Sequence, residues 1–226
     1  MTASIRLDLH VHSRHSPDGR ASLESLVEQL GFAGLNGFAL TDHNTVAGHR
    51  RLAELAKQYP MYWFLPGVEV STQDGHVLAY GVDDVPPVHR PVAETLDWIR
   101  AHGGVSALAH PFRWAHGVGR RIAARANADA VETMNGHNAE LANARAELVA
   151  ARRGLTSTGG SDAHYLSELG RAFTEFPVET GSVDDLMAHL RGRHTRGSGN
   201  SLSMAQRVRL GVRTGLLRVS RGFRPI

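Results

Sequence analysis

A chain of 226 residues, of which 42% are hydrophobic, is long enough to bury one sizeable core, so we expect one main domain. The chain contains no cysteine, which excludes disulfides, thiolate catalysis and sulfur-ligated metal sites. The net charge of +3 excludes no class of partner by itself.

From the first residues we expect neither a secretion signal nor a membrane anchor. Met1–Ser4 leads straight into an apolar run, without the basic and then apolar segments of a signal peptide. No run of about 18 apolar residues exists, so we expect no transmembrane segment. We therefore expect a cytoplasmic protein.

Apolar spacing predicts strands and helices that alternate along most of the chain. Short apolar runs predict strands at Ile5–Leu9, Gly37–Thr41, Tyr62–Val70, His76–Tyr80, Val105–Ala109, Ala130–Met134, Leu155–Thr158 and Ala172–Val178. Helical spacing, with caps and stops, predicts helices at Ser22–Gly31, Leu52–Tyr59, Pro91–Gly103, Gly117–Asn127, Ala139–Arg153 and Ser182–Leu190. This alternation predicts an α/β fold with a parallel sheet and helical crossovers.

The first chemical motif, Asp8-Leu9-His10-Val11-His12, lies at the end of the first predicted strand. Because side chains alternate along a strand, Asp8, His10 and His12 point to the same side. Two imidazoles on one side suit a divalent metal, although an isolated H-x-H is more often a pair of ordinary strand-end histidines. The later motifs decide between these interpretations.

Further polar residues follow the ends of later predicted strands. They are His43 with Asp42, Glu69, His110, Glu132, and His164 with Asp162. In a closed α/β barrel the carboxyl ends of the strands meet at one end, here called the mouth, which carries the chemistry. The motif positions therefore predict that these side chains converge at the mouth.

Seven motifs follow one another in order: D-x-H-x-H, S-P-D-G, T-D-H-N-T, G-V-E-V-S, a histidine after the next turn, A-H-P and G-S-D-A-H. With this series, from Asp8 to His164, the sequence resembles the PHP (polymerase and histidinol phosphatase) family, whereas any single motif is a weak signal. The resemblance implies a distorted (β/α)7 barrel with a cluster of up to three metals at the C-terminal mouth of the strands.

The resemblance also implies which residues hold each metal. The first would be held by His10, His12, Glu69 and Asp162, the second by Asp18, His43 and His164, and the third by Glu69, His76 and His110. Asp18 stands where some members have histidine, which favours manganese or iron over zinc, and His15 is a weaker candidate for the same position. We expect two or three divalent ions per chain, with Glu69 bridging.

The predicted ligand set, six imidazoles and three carboxylates, fits a multinuclear hydrolytic site better than a closed structural one. Metals about 3.5–4 Å apart hold a hydroxide for attack on phosphorus, so we expect a hydroxide between the first two metals as nucleophile. The expected function is that of a metal-dependent phosphoesterase in which Asp162, Glu69 and Arg113 carry catalysis. Arg113 is expected either to contact a substrate phosphate or to form a surface salt bridge.

Polar residues near the ligands are candidates for supporting roles. Asp8 and Asp42 are expected either to accept the far N–H of a ligand imidazole or to be ordinary turn aspartates. Glu132 and Asn135 are candidate substrate contacts, and Arg171 is a weaker one.

The remaining histidines and an unusual tryptophan receive simpler interpretations. Surface positions are expected for His49, His89, His102, His116, His189 and His194. His137 stays undecided, because it follows Asn135 at the same end of the barrel. Trp114, beside Arg113, is expected in the core or at the rim, with stacking on a nucleobase as the alternative.

The predicted substrate is a small phosphorylated molecule, a nucleotide or an RNA end. The family resemblance implies phosphatases, exonucleases and nucleotide-directed enzymes as relatives. Only 21 residues separate His110 from Glu132, so we expect no lid inserted there and an open mouth. The alternatives are a metal-dependent amide hydrolase and a non-catalytic, metal-stabilised binding module.

The end of the chain is strongly basic. Nine of the 25 basic residues lie from Arg191 onward, which leaves 16 basic against 22 acidic residues before it. We expect a catalytic barrel at residues 1–195 and an arginine-rich extension at 196–226. A helical stripe in the extension predicts an amphipathic helix that packs on the acidic barrel. The alternative is contact with nucleic acid or a membrane surface, with Gly197–Asn200 as the hinge of the extension. The stripe consists of Val208, Val212, Leu216 and Val219.

Overall fold

The computed structural model describes residues 4–202 and residue 206. The strands in this range are β1 (Ile5–Val11), β2 (Gly37–Leu40), β3 (Trp63–Ser71), β4 (His76–Tyr80), β5 (Val105–Leu108), β6 (Ala130–Asn135), β7 (Thr156–Gly160), β8 (Ala172–Phe176) and β9 (Arg196–Gly199). The helices are α1 (Leu23–Ala33), α2 (His49–Gln58), α3 (Val92–Ala101), α4 (Gly119–Ala123), α5 (Glu140–Arg153) and α6 (Val183–Gly192), with a 3₁₀ turn at Leu166–Glu168. None of these described helices has both the length and the apolar character needed to cross a membrane.

One mixed sheet contains all these strands, in the order β7-β6-β5-β4-β3-β2-β1-β8-β9. Parallel pairing joins β1 to β2, β2 to β3, β5 to β6 and β6 to β7. By contrast, β4 is antiparallel to β3 and β5, and β8 is antiparallel to β1 and β9. The prediction of a parallel sheet is wrong at β4 and β8. The turn between β3 and β4, for example, is too short for a helical crossover and reverses the chain as a hairpin.

The two sides of the sheet approach each other, so the sheet is nearly closed into a barrel. Asp162 N donates to His10 O at 2.8 Å, and His12 N donates to Ala163 O at 2.9 Å, which joins the end of β1 to the segment after β7. Gly160 lies so close to β1 that a Cβ atom on it would be 2.3 Å from His10 Cβ. These contacts confirm the expected distorted α/β barrel.

Buried apolar clusters join the strands to one another and to the surrounding helices. Leu7, Leu9, Leu65, Leu78 and Tyr80 pack together with residues of α6. The Tyr80 hydroxyl donates to Leu9 O at 3.1 Å, so this buried polar group is satisfied. On another side of the sheet, Leu26 and Leu30 of α1 pack in one cluster with Phe38. The helical stripe that predicted α1 is therefore its buried face.

Two predicted helices differ from the observed ones. Helix α1 continues past Gly31 and ends at Gly34, whose φ of 66° makes it a left-handed cap. The predicted basic helix at Gly117–Asn127 is reduced to α4. Its first residues are held in a loop because His76 N donates to His116 O at 2.9 Å and Gly119 N donates to Pro111 O at 2.9 Å.

Strand β9 replaces the expected hinge. The hinge at Gly197–Asn200 is wrong, because Arg196–Gly199 pairs with β8 and Asn200 N donates to Arg171 O at 2.8 Å. Four residues assigned by sequence to the extension therefore belong to the sheet. The stripe from Val208 to Val219 lies outside the described residues, and the division of the chain at residue 196 stays a prediction.

Candidate metal centre

The nine sequence-predicted ligands meet at the mouth of the barrel. They come from β1, β3 and β4 and from the loops after β1, β2, β5 and β7. Because β4 runs antiparallel to its neighbours, its first residue, His76, lies at the same end as the last residues of the parallel strands. The nine are His10, His12, Asp18, His43, Glu69, His76, His110, Asp162 and His164.

One group, made of His10, His12, Glu69 and Asp162, is fully buried. Glu69 Oε2 lies 3.0 Å from His10 Nε2 and 3.1 Å from His12 Nε2. Asp162 Oδ1 lies 3.5 Å and 3.3 Å from the same two nitrogens. Two imidazole nitrogens and two carboxylate oxygens therefore surround one point, an arrangement that is able to hold a divalent ion.

A second group lies on the solvent side of the first. Asp18 Oδ2 is 2.8 Å from His164 Nε2 and 3.4 Å from His43 Nε2, and His12 completes the group. His15, the weaker candidate for the position of Asp18, is exposed. The structure thus places Asp18 rather than His15 among the histidines.

Glu69 links these groups to a third set of atoms. Its Oε1 lies 2.7 Å from His76 Nδ1 and 3.0 Å from His110 Nε2, while its Oε2 lies 3.3 Å from His43 Nδ1. Burial opposes ionisation of this carboxyl, but the imidazoles of His10, His43 and His76 outweigh burial and hold the pKa of Glu69 well below its usual value. Glu69 is therefore a carboxylate that faces five imidazoles.

Several buried polar atoms of the cluster have no hydrogen-bond partner among the described residues. They are His10 Nε2, His12 Nε2, His43 Nδ1, Glu69 Oε2 and His110 Nδ1. Buried polar atoms are normally satisfied, so a group of unpaired ones requires a physical reason. Coordination of divalent metals would satisfy most of them, and nitrogen and oxygen donors without sulfur suit manganese, iron or zinc. The residues present therefore fit a metal cluster.

The backbone at the mouth adopts an unusual conformation at two of these residues. His110 has a φ of 28° and Asp162 has a φ of 59°, values that are costly for residues other than glycine. The hydrogen bond from Asp162 N to His10 O helps to hold the second conformation. Strained backbone of this kind is concentrated at functional sites.

Arg113 reaches the cluster from the loop after β5. Its Nη2 donates to Asp162 Oδ2 at 2.5 Å and to Asn135 Oδ1 at 2.6 Å, and its Nε donates to Asn138 Oδ1 at 3.1 Å. Burial and the positive charge of Arg113 lower the pKa of His110 to about 3, so this imidazole stays neutral. Arg113 therefore belongs to the cluster and forms an ion pair there with the buried Asp162, and its expected contact with a substrate phosphate stays a prediction.

Two family models match the chain. The PHP domain model covers residues 8–150, and the PHP-associated model covers residues 140–195. The chain belongs to the PHP family. This confirms the resemblance drawn from the seven ordered motifs.

Solved structures show the same PHP fold. A two-domain protein from Bacteroides vulgatus containing a predicted PHP-like metal-dependent phosphoesterase has a TM-score of 0.73 at 18% identity, over 88% of this chain and 65% of that one. A lesion-specific endonuclease from Pyrococcus furiosus has a TM-score of 0.68 at 17% identity, over 87% of this chain and 59% of that one. At such identities the likeness establishes the fold alone.

A characterised relative matches part of this chain at a higher sequence identity than the solved structures do. Phosphoribosyl 1,2-cyclic phosphate 1,2-diphosphodiesterase from Eggerthella lenta is 36% identical over 86 residues, which are 35% of this chain and 32% of that enzyme. The chain therefore spans about a third of that relative. The family and its neighbours together support a hydrolase of the phosphoesterase type.

Glu132 holds two candidate ligands of the PHP cluster, His10 and His110. It is buried, its Oε1 accepts from His10 Nδ1 at 2.8 Å, and its Oε2 accepts from His110 N at 2.7 Å. Asn135 Nδ2 also donates to Glu132 Oε2 at 3.0 Å. That Glu132 and Asn135 contact substrate stays a prediction. The supporting role of Glu132 could have been inferred from the sequence, because a metal-binding imidazole needs a hydrogen-bond acceptor on its other ring nitrogen.

The Glu132→Gln variant is expected to bind metal about 10–100-fold more weakly than the wild type and to remain folded. The amide would present a donor to His110 N–H or to His10 Nδ1–H, where the carboxylate presents two acceptors. Metal titration checks the affinity, with Glu28→Gln on the exposed side of α1 as the matched control. Equal affinities of the two variants would contradict the role given to Glu132.

Asp8 and Asp42 bind backbone and hydroxyl groups, so their predicted contact with a ligand imidazole is wrong. Asp8 accepts from the backbone N–H groups of Ser161 at 2.8 Å and Gly170 at 2.9 Å, and burial raises its pKa to about 6. Asp42 accepts from Ser13 N at 2.7 Å and Ser13 Oγ at 2.8 Å. Both aspartates fix loops at the mouth rather than imidazole rings.

Two further histidines lie beside the cluster. His116 is exposed, as expected, but it has a partner, since its ring stacks on His76 at a centroid distance of 4.7 Å. His137 Nε2 lies 3.4 Å from Glu168 Oε2, and its ring stacks on His164 at 5.7 Å.

Arg171 lies against Gly136 at the same end of the barrel, and Trp114 is fully exposed rather than part of the core.

Proposed function

We propose that this chain is a metal-dependent phosphoric ester hydrolase acting on a phosphomonoester or on the phosphate of a nucleotide or nucleic acid. The observation that carries the proposal is the buried Glu69 carboxylate facing five imidazoles at the mouth. A structural site is usually closed and four-coordinate, whereas this cluster continues through the partly exposed Asp18 and His164 to solvent. The named activities of relatives, a cyclic phosphate diphosphodiesterase and an endonuclease, support the same reaction class.

The proposed ligand assignment follows the three sets of atoms. His10, His12, Glu69 and Asp162 hold the first metal, Asp18, His43 and His164 the second, and Glu69, His76 and His110 the third. Glu69 serves two of these sites because its two oxygens face different imidazoles. Manganese, iron and zinc all suit such donors.

When bound, the metals supply an activated water and neutralise the charge that develops on the phosphoryl oxygens. The protein residues place the substrate against them. Arg113 is fixed by Asp162 and Asn135 through Nη2, and within the described part of the chain its Nη1 has no acceptor. We assign this free donor to a phosphate oxygen of the substrate, because a guanidinium forms strong, directed bonds to phosphate.

Phosphate release from an aryl phosphate tests the proposal. We expect phosphate release to disappear from metal-stripped protein and to return with manganese. In Asp162→Ala the release should fall at least about 100-fold, which is more than the loss typical of residues that only support a metal ligand. Asp97→Ala, on the exposed side of α3, is the matched control. Release that survives metal removal would overturn the proposal. Metal binding without any hydrolysis would instead indicate a non-catalytic module.

A further inference from the structure

An exposed aromatic residue stands on the loop that carries Arg113. Trp114 is fully exposed, although tryptophan has a large apolar ring system, and it directly follows Arg113 in the chain. Because Arg113 Nη2 donates to Asp162 Oδ2, the backbone of Trp114 lies at the edge of the mouth. One exposed tryptophan has no special meaning by itself. The residues around Trp114 give it a role.

The backbone of this loop is fixed by hydrogen bonds on both sides of Trp114. Gly119 N donates to Pro111 O at 2.9 Å, which closes the loop on itself. His76 N donates to His116 O at 2.9 Å, which joins the loop to the first residue of β4. The loop therefore holds Trp114 in place while the indole stays in solvent, so a planar group that stacks on it meets a preorganised surface.

Two exposed arginines follow the loop on α4. Arg120 comes directly after Gly119, whose N–H is bonded to Pro111 at the mouth, and Arg121 is the next residue. Both side chains are exposed, and within the described part of the chain neither forms an ion pair or a hydrogen bond. A guanidinium without a partner is available to a phosphate group.

Acidic residues of the same stretch do not neutralise these arginines. None lies between Asp97 and Asp129 in the sequence. Asp97 Oδ1 is paired with Arg100 Nη1 at 3.0 Å, and Asp129 Oδ2 accepts from Ser106 N at 2.9 Å. Both flanking carboxylates are therefore already engaged away from α4.

The neighbouring elements do not neutralise the arginines either. Asp74, on the turn between β3 and β4, accepts from Val92 N at 3.0 Å, and Glu94 of α3 is paired with Arg90 at 2.9 Å. Helix α5 packs beside α4 in one apolar cluster and carries more basic than acidic residues. Its charged residues are Glu140, Arg145, Glu147, Arg152 and Arg153. This side of the mouth therefore has an excess of positive charge.

We propose that residues 113–121, here called the rim segment, bind single-stranded nucleic acid, with Trp114 stacking on a base and Arg120 and Arg121 binding backbone phosphates. The inference rests on the hydrolase function proposed above and names its substrate class, a strand whose reacting phosphate reaches Arg113. A basic surface beside an aromatic ring is the usual means of holding a single strand, because every base has a face that stacks. Bases of a duplex are already stacked on their neighbours and cannot use Trp114 without unstacking.

Binding of a labelled single-stranded DNA of about 12 nucleotides to the full chain tests the role of Trp114. Fluorescence anisotropy should show at least about fivefold weaker binding in Trp114→Ala than in the wild type, the lower end of the loss usual for one stacked base. Trp114→Phe should keep most of the affinity, and Phe32→Ala, which removes an exposed ring of α1, should keep all of it. Equal affinities of the wild type and Trp114→Ala would overturn the stacking, and so would an equal loss on a duplex of the same sequence.

The salt dependence of the same binding tests the two arginines. In Arg120→Ala/Arg121→Ala the slope of log affinity against log salt should decrease in magnitude by about 1.4, because each phosphate contact to a single strand contributes about 0.7. Lys57→Ala/Arg152→Ala also removes two positive charges, from the last turns of α2 and α5, and should leave the slope unchanged. Every variant carries the arginine-rich extension, so its contribution is the same in all of them. Equal slopes in the two double variants would overturn the proposal, and so would binding to anionic lipid vesicles without binding to the single strand.

Hydrolysis of an alkyl phosphate, which has no ring to stack, separates this inference from the proposed function. Trp114→Ala and Arg120→Ala/Arg121→Ala should hydrolyse it with the kcat/KM of the wild type, because within the described residues no hydrogen bond or ion pair joins these side chains to the candidate ligands. Unimpaired hydrolysis together with unimpaired strand binding in these variants would overturn the rim segment alone. Strand binding that is lost in these variants, in a protein that hydrolyses no phosphate ester, would overturn the hydrolase function and leave the rim segment in place.

Discussion

The Glu69→Gln variant is expected to lose more than about 100-fold in kcat/KM for phosphate ester hydrolysis, beyond the loss typical of residues that only support a ligand. The reason is the number of partners that a single carboxylate serves. Its Oε2 faces His10 and His12 at 3.0 Å and 3.1 Å, and its Oε1 faces His76 at 2.7 Å. An amide removes the negative charge and turns one of these oxygens into a donor, so both proposed sites that share Glu69 lose affinity.

Bound metal per chain and kcat/KM should be measured on the same samples of Glu69→Gln. The proposal expects metal content and activity to fall together. Glu54→Gln, which lies on the exposed side of α2, should retain both. A Glu69→Gln protein with full metal content and unchanged activity would remove Glu69 from the centre of the site.

The candidate site was more predictable from the sequence than the path of the sheet. Residues able to bind metal, such as His43 and His110, follow apolar strand runs within three residues. The end of a strand is visible in the sequence because polar residues begin there. The direction of a strand is not visible in the same way. The run at β8, for example, has ordinary strand character, and only its pairing with β1 and β9 shows that it is antiparallel.

Supporting contacts were the least predictable part. Asp8 stands two residues before His10 and shares its side of an ideal strand, yet it binds Ser161 N and Gly170 N, which are distant in sequence. Glu132 supports His10 across 122 residues. Contacts of this kind depend on how the barrel closes, so neighbouring positions in the sequence do not reveal them. The ligand roles proposed for the nine residues stay predictions until metal binding is measured.

The same closure makes Gly160 a glycine whose replacement should disturb both the fold and the candidate site. A Cβ atom on Gly160 would lie 2.3 Å from His10 Cβ and 2.6 Å from His10 N, distances at which β1 or β7 has to move. We expect Gly160→Ala to lower the free energy of unfolding by about 3 kcal/mol, the upper part of the usual range for overpacking. Because His10 and Asp162 lie on either side of this contact, activity should also fall about 100-fold for a displacement of about 1 Å.

Gly181→Ala is the matched control for this substitution. Its Cβ atom would be 3.6 Å from the nearest heavy atom, an ordinary van der Waals distance. Denaturant unfolding of the metal-free proteins separates the packing effect from the loss of metal binding, since ligands stabilise only the folded state that binds them. If Gly160→Ala unfolds at the same denaturant concentration as Gly181→Ala, β1 and β7 are not in the close contact that brings His10 and Asp162 together.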